Sequence, residues 1–129
     1  MKNQTLDYLL SPNSIALVGA SPKHDSNGLA MYEMCKIDGF DGSIFLVNPN
    51  YTEINGVKCY ASIKDLSVTP DHVVIGIASR FVEEVFEQCV ELGVKAVTIF
   101  ASCFLKNDSK PNLAERLKGK ALKFDIDIC

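Results

Sequence analysis

Short apolar runs alternate along this chain with stretches whose apolar residues recur at helical spacing. Ser14 to Val18 is the first such run, and it reads as a parallel strand buried on both faces. Gly19-Ala20-Ser21-Pro22 closes it. After a polar loop from Lys23 to Asn27, Gly28 opens Leu29 to Ile37, a stretch of helix formers that Asp38-Gly39 stops. Ser43 to Val47 predicts a second strand. Asn48-Pro49-Asn50 ends it, because proline has no N–H to give a central ladder. From Tyr51 to Leu66 the pattern weakens. Asn55-Gly56 signals a turn, Val57 to Tyr60 a short extended piece, and Ser62 to Leu66 one helical turn.

The signal returns with His72 to Ala78, a β-branched run expected as a central third strand. Ser79 is expected to cap the next helix, in which Phe81, Val82, Val85, Phe86, Cys89 and Val90 share one face. Glu83, Glu84, Glu87, Gln88 and Glu91 occupy the other, and Gly93 ends the helix. Lys95 to Ala101 predicts a fourth strand, 112–122 a further helix, and Asp125 to Cys129 a last strand. Strands separated by single helices imply right-handed βαβ units. The fold class expected is therefore α/β: a Rossmann-like, doubly wound, mainly parallel sheet of about five strands with helices on both faces. The whole of 1–129 reads as one domain. Its last strand runs into the final residue, which predicts a piece of a longer chain.

Composition narrows the function classes. The 129 residues are 47% hydrophobic and 22% charged, ordinary for a globular domain. A net charge of −3 gives no electrostatic reason to expect nucleic acid or an anionic membrane as partner. No apolar run approaches the roughly 20 residues of a membrane span, and no signal-peptide core follows Met1, so the cytoplasm is the expected location. Five scattered cysteines, with no C-x-x-C pair, make neither a disulfide framework nor a zinc site. Cys89 falls on the apolar stripe of a helix and reads as core.

Ligands of open parallel sheets bind beyond the strand carboxyl ends, where the strand order reverses. Four loops qualify: Gly19 to Gly28, Val47 to Tyr51, Ala78 to Val82, and Ala101 to Phe104. In the first, Gly19 permits a sharp turn and Gly28 starts a helix whose free N–H groups suit a phosphate, with Ser21, Lys23, Ser26 and Asn27 as further donors. The spacing is not G-x-G-x-x-G, and a plain turn is the competing reading. At the end of the second strand a dehydrogenase usually carries Asp or Glu for the ribose hydroxyls; here Asn48-Pro49-Asn50 stands instead, with no acid before Glu53. That disfavours NAD and leaves a ligand with a ribose phosphate, such as CoA or NADP.

Ser11-Pro12-Asn13-Ser14-Ile15-Ala16-Leu17-Val18-Gly19-Ala20-Ser21 resembles the opening of the ADP-forming (NDP-forming) acyl-CoA synthetases, relatives of the succinyl-CoA synthetase α subunit. The likeness continues through Gly42 to Tyr51, Gly56 to Tyr60, Ser62 to Leu66, Val73 to Val82 and Gly93 to Phe104, so it covers nearly the whole chain. It implies a domain that binds coenzyme A or acyl-CoA. By that resemblance Gly19, Ala20, Ser21, Lys23, Asn27 and Gly28 meet the CoA phosphates, and Val47, Asn48, Pro49 and Asn50 lie by the adenosine end. Ala78, Ser79 and Arg80, with Ala101, Ser102 and Cys103, flank adenine or pantetheine. The family's reaction converts acyl-CoA, ADP and phosphate into acid, CoA and ATP through a phosphohistidine in a later domain. Neither His24 nor His72 matches that histidine, so no catalytic residue and no metal ligand is expected here. The remaining ligase domains, including an ATP-grasp portion, are the implied partners.

Two positions depart from the family. Asn50 stands where many relatives carry lysine, which leaves Lys23 or Lys58 to meet that phosphate. Cys103 stands where the synthetases usually carry glycine. It crowds the pantetheine arm, pairs with the CoA thiol in a mixed disulfide, or is simply a small loop residue. Two other functions fit the same pattern: a CoA-binding regulatory module fused to a protein acetyltransferase, and an NAD(P)-binding sensor domain.

Overall fold

A computed structural model describes residues 13–20, 43–54 and 56–128. Within them the strands are β1 (Ser14–Val18), β2 (Ser43–Val47), β3 (Glu53–Ile54), β4 (Val57–Tyr60), β5 (His72–Ile75), β6 (Ala96–Ile99) and β7 (Asp127–Ile128). The helices are α1 (Ser79–Leu92) and α2 (Leu113–Lys123), with a 3₁₀ turn at Ile63–Asp65. One sheet runs in the order β3-β4-β2-β1-β5-β6-β7. Every neighbouring pair is parallel except β3 with β4. From β1 the chain builds outward to β2 and β4, then returns to β5 on the other side of β1 and continues to β6 and β7. The winding reverses between β1 and β5, which makes this a Rossmann-like sheet.

The sheet has seven strands where about five are expected. The weakly patterned segment 51–60 supplies two short ones, which pair through Glu53↔Lys58 and Ile54↔Val57. The third and fourth strands end earlier than their apolar runs, at Ile75 and Ile99; Gly76 and Phe100 each donate one more bond, to Val18 and Ile75, before the chain turns into loops. The helix expected at 29–37 lies outside the described residues.

Strand alternation sorts the core. Ala16, Val18, Val73, Ile75 and Val97 face α1 and α2, where they meet Val82, Phe86, Cys89, Leu113, Leu117 and Ala121. Ile15, Leu17, Leu46 and Val74 point to the other face with Ala20, Ile54 and Cys59. Both described helices thus lie on one face. Cys89 is fully buried in the core on that face, and that burial pushes its thiol up to about 12.

The helix ends follow their sequences, with one exception. Gly93 terminates α1 at φ +78, where its N–H reaches the Cys89 and Val90 carbonyls. Asn112 and Glu115 form a capping box at the start of α2, with bonds of 2.9 and 3.2 Å. Ser79 does not cap α1. Ala78 holds that position, without a side-chain bond, and Ser79 is already helical. Its hydroxyl instead meets Ser102 Oγ at 3.2 Å and accepts the Cys103 N–H at 3.1 Å.

Charge ties the helices together. Arg116 of α2 donates to both carboxylate oxygens of Glu83 on α1, at 2.9 and 3.1 Å, and to Asp108 at 3.0 Å. The guanidinium holds the Glu83 carboxyl below its ordinary range.

Among the described residues His72 is the buried polar residue of the sheet, 9% exposed, with Nε2 2.8 Å from Thr98 Oγ1. Burial lowers its pKa from the ordinary 6.5, since desolvation disfavours the charged ring. Below pH 6.5 the unfolded chain therefore binds more protons than the folded one, and stability declines as pH falls. Thermal unfolding between pH 7.5 and 5 is expected to show a falling melting temperature, and His72→Gln is expected to flatten that slope. An unchanged slope in the variant would assign the decline to other groups.

Candidate functional site

The carboxyl ends of β1 and β5 come together at the reversal. Gly19, at φ +97, donates its N–H to the Val47 carbonyl, and Gly76 donates to the Val18 carbonyl, both at 2.8 Å. A Cβ on Gly19 would fall 2.3 Å from the Gly76 oxygen and 2.9 Å from the Ile77 Cγ2. Only glycine fits between these strands, for its shape as well as its backbone angle.

Asn48 binds the next loop to this junction. Its Nδ2 donates to the Ala20 carbonyl at 2.8 Å, while its Oδ1 accepts the Asn50 N–H at 2.9 Å. The side chain at the end of β2 is thus committed to loop architecture and leaves no carboxylate to hold ribose hydroxyls.

A crevice of about 500 Å³ opens between these loops, the 3₁₀ turn and the first half of α1. That volume lies in the range of small-molecule sites. Val18, Val47, Ile63, Ile77, Phe81 and Val85 make its apolar lining. The polar groups come from Asn48, Asn50, Ser62, Glu84 and Gln88, with backbone at Gly19 and Gly76. No lysine or arginine lines it among the described residues, whereas one carboxylate does.

Of the expected site residues, Gly19, Val47, Asn48, Pro49, Asn50 and Ala78 line the crevice. Ala20 adjoins it through Asn48. Ser79 and Arg80 instead border a shallower hollow with 104–108, and Arg80 stacks over Phe81 at 4.7 Å. Ser102 and Cys103 reach Ser79, and none of Ala101, Ser102 and Cys103 lines the crevice. Ser21, Lys23, Asn27 and Gly28 lie outside the described residues. Cys103 adopts φ +57, a left-handed angle that glycine takes more readily, and burial raises its thiol pKa.

Sequence reasoning missed Val18, Ala61, Ser62, Ile63, Gly76, Ile77, Glu84, Val85 and Gln88 as lining, and it placed Phe81 in a qualifying loop, 78–82, without singling it out. Phe81 carried the signal. It sits on the apolar stripe of α1 yet remains 47% exposed beside the crevice, while its neighbour Val82 is fully buried in the core.

Comparison with known proteins decides the family. Residues 13–129 match the family described as CoA binding domain. The chain belongs to this family. It is also homologous to the N-terminal portion of ADP-forming acetate–CoA ligases. The Acetate–CoA ligase [ADP-forming] of Methanocaldococcus jannaschii is 33% identical over 127 residues, covering 98% of this chain and 18% of the relative. The Acetate–CoA ligase [ADP-forming] I subunit alpha of Pyrococcus furiosus is 36% identical over 130 residues, 96% of this chain and 28% of the relative. A solved structure, the Ca. Korarchaeum cryptofilum dinucleotide forming acetyl-coenzyme A synthetase 1 in complex with phosphate and ADP, superposes with a TM-score of 0.85. It is 30% identical, over 99% of this chain and 27% of that one. The CoA-binding-domain chain thus spans under a third of each of these relatives. Among its described residues, no helix is long and apolar enough to cross a membrane, and no cluster of three His, Cys, Asp or Glu is placed to hold a metal.

The junction is open to direct test. Gly19→Ala is expected to destabilise the domain by about 2 kcal/mol or more, from the overlap with Gly76 and the left-handed backbone. Asn48→Ala is expected to cost about 1–2 kcal/mol, since the Ala20 carbonyl and Asn50 N–H lose their partner. Urea unfolding measures both, and wild-type stability in either variant would refute the assigned contact.

Proposed function

We propose that this domain holds coenzyme A or acyl-CoA across the crevice at the β1/β5 junction, as the CoA-binding part of an ADP-forming acyl-CoA synthetase. The observation that carries the reading is the position of the crevice. It lies beyond the strand ends at the reversal point, in a chain whose residues 13–129 match the CoA binding domain family.

The crevice chemistry fits the nucleoside half of CoA. Apolar walls at Ile63, Ile77, Phe81 and Val85 suit a flat base, and the absence of a lining cation among the described residues is acceptable for an uncharged ring. The phosphates then run toward the Gly19–Gly28 loop, where Ser21, Lys23, Asn27 and Gly28 are the proposed donors. Pantetheine then continues past Ala78 and out of the crevice, toward Ser79, Arg80, Ala101, Ser102 and Cys103. Asn48 in place of an acid argues against NAD in the same seat.

In this reading the domain presents the coenzyme, and the remaining ligase domains or subunit, including an ATP-grasp portion, carry the phosphohistidine chemistry in the cytoplasm. The ligand test is a set of unfolding curves with CoA, NADH and NADPH. CoA at 100 times its dissociation constant is expected to stabilise the domain by about 2.7 kcal/mol. NADH at the same concentration is expected to stabilise it less, and a larger effect of NADH than of CoA would overturn the proposal.

A further inference from the structure

Helix α1 carries four glutamates, and three of them are matched with cations. Glu83 pairs with Arg116 and Lys120, Glu87 with Lys120, and Glu91 lies 3.0 Å from Lys64. Glu84 has no ion pair or hydrogen bond among the described residues, and of the four it alone lines the crevice. Gln88 lies one turn further along, at i+4 on the same wall.

The orientation of Gln88 is set from across the crevice. The Ser62 hydroxyl accepts the Lys64 N–H at 3.2 Å and donates to Gln88 Oε1 at 3.4 Å. With Oε1 held by Ser62, the amide has Nε2 left to offer, which is a donor. The wall therefore presents a carboxylate acceptor beside an amide donor, next to the apolar surface of Ile63, Ile77 and Val85.

We infer that Glu84 and Gln88 read the edge of the adenine base: Glu84 accepts from the 6-amino group and Gln88 donates to the neighbouring ring nitrogen. The inference rests on the proposed CoA function and adds which side chains select the base. Adenine offers a donor beside an acceptor along that edge, the complement of this pair. A 6-keto purine reverses the order, turning its oxygen toward the Glu84 carboxylate and its ring N–H toward the Gln88 donor. The Glu84 charge also keeps phosphate away from this wall, so the nucleotide enters with its base toward α1. Ser62 is a positioning residue, acting through the Gln88 amide.

The test is competition binding of CoA against its 6-deamino analogue on the purified chain. Wild type is expected to favour CoA about tenfold or more, the scale of a hydrogen bond to a charged group. Glu84→Gln carries both a donor and an acceptor and rotates to suit either purine. It is expected to lower the ratio at least about threefold, because the charge-assisted contact is lost. Ser62→Ala is expected to lower the ratio, and Ser62→Thr, which keeps the hydroxyl, to restore it. Equal affinity of wild type for the two ligands, or an unchanged ratio in Glu84→Gln, would overturn the assignment while leaving the CoA function standing. Failure to bind CoA at all would overturn both.

Discussion

At the carboxyl ends of β1 and β5 the two backbones approach until no side chain can stand between them. The hypothetical Cβ of Gly19, 2.3 Å from the Gly76 oxygen, measures how tight that approach is. It occurs where the sheet reverses its winding, so the loops beyond it must diverge, one set toward β2 and β4, the other toward β6. The crevice is the space that divergence leaves. Backbone bonds from Gly19 to Val47 and from Gly76 to Val18 carry the ladder one residue past the strands, and Asn48 fastens the β2 loop to Ala20. The site is thus held by the sheet itself and by one amide side chain.

Helix α1 joins this junction to the rest of the fold. Its Val82, Phe86 and Cys89 are fully buried in the core, while Phe81, Glu84, Val85 and Gln88 line the crevice. A helix that serves both surfaces must be fixed in rotation as well as position. Arg116 supplies part of that constraint through its paired bonds to Glu83, and through Asp108 it also anchors the loop that follows β6. The same loop reaches back to the start of α1 through Ser102 and Ser79. Core packing, ion pairing and the site wall therefore share one element, and a rotation of α1 would disturb all three.

The alternation of runs and helical stripes was enough to read the central strands, α1 and α2, because burial on both faces leaves consecutive apolar residues that few other structures tolerate. The outer pair β3 and β4 was harder. Glu53 and Lys58 are exposed, Ile54 and Cys59 are buried, and strands this short carry little periodicity. The glycine after β1 and the break after β2, which line the crevice, were legible as loop positions, since a sharp turn and a proline interrupt the apolar runs there. The wall on α1 was not. Glu84 and Gln88 fall on the polar stripe of an amphipathic helix, and nothing in a stripe distinguishes solvent from a crevice. Ser79 misled for a related reason: a serine at a helix start reads as a cap, but its hydroxyl found partners at Ser102 and Cys103. The family resemblance did not depend on those details, and it agrees with the match over residues 13–129.

The proposed seat of the coenzyme is the space beside the Gly19–Gly76 contact. Backbone amide spectra of the isotopically labelled chain, titrated with CoA, address this without any substitution. The largest shifts are expected at Gly19, Asn48, Asn50, Ile77 and Phe81, with α2 and β7 nearly unmoved. Saturable shifts that instead centre on α2, or that leave Gly19 and Ile77 unchanged, would contradict the account.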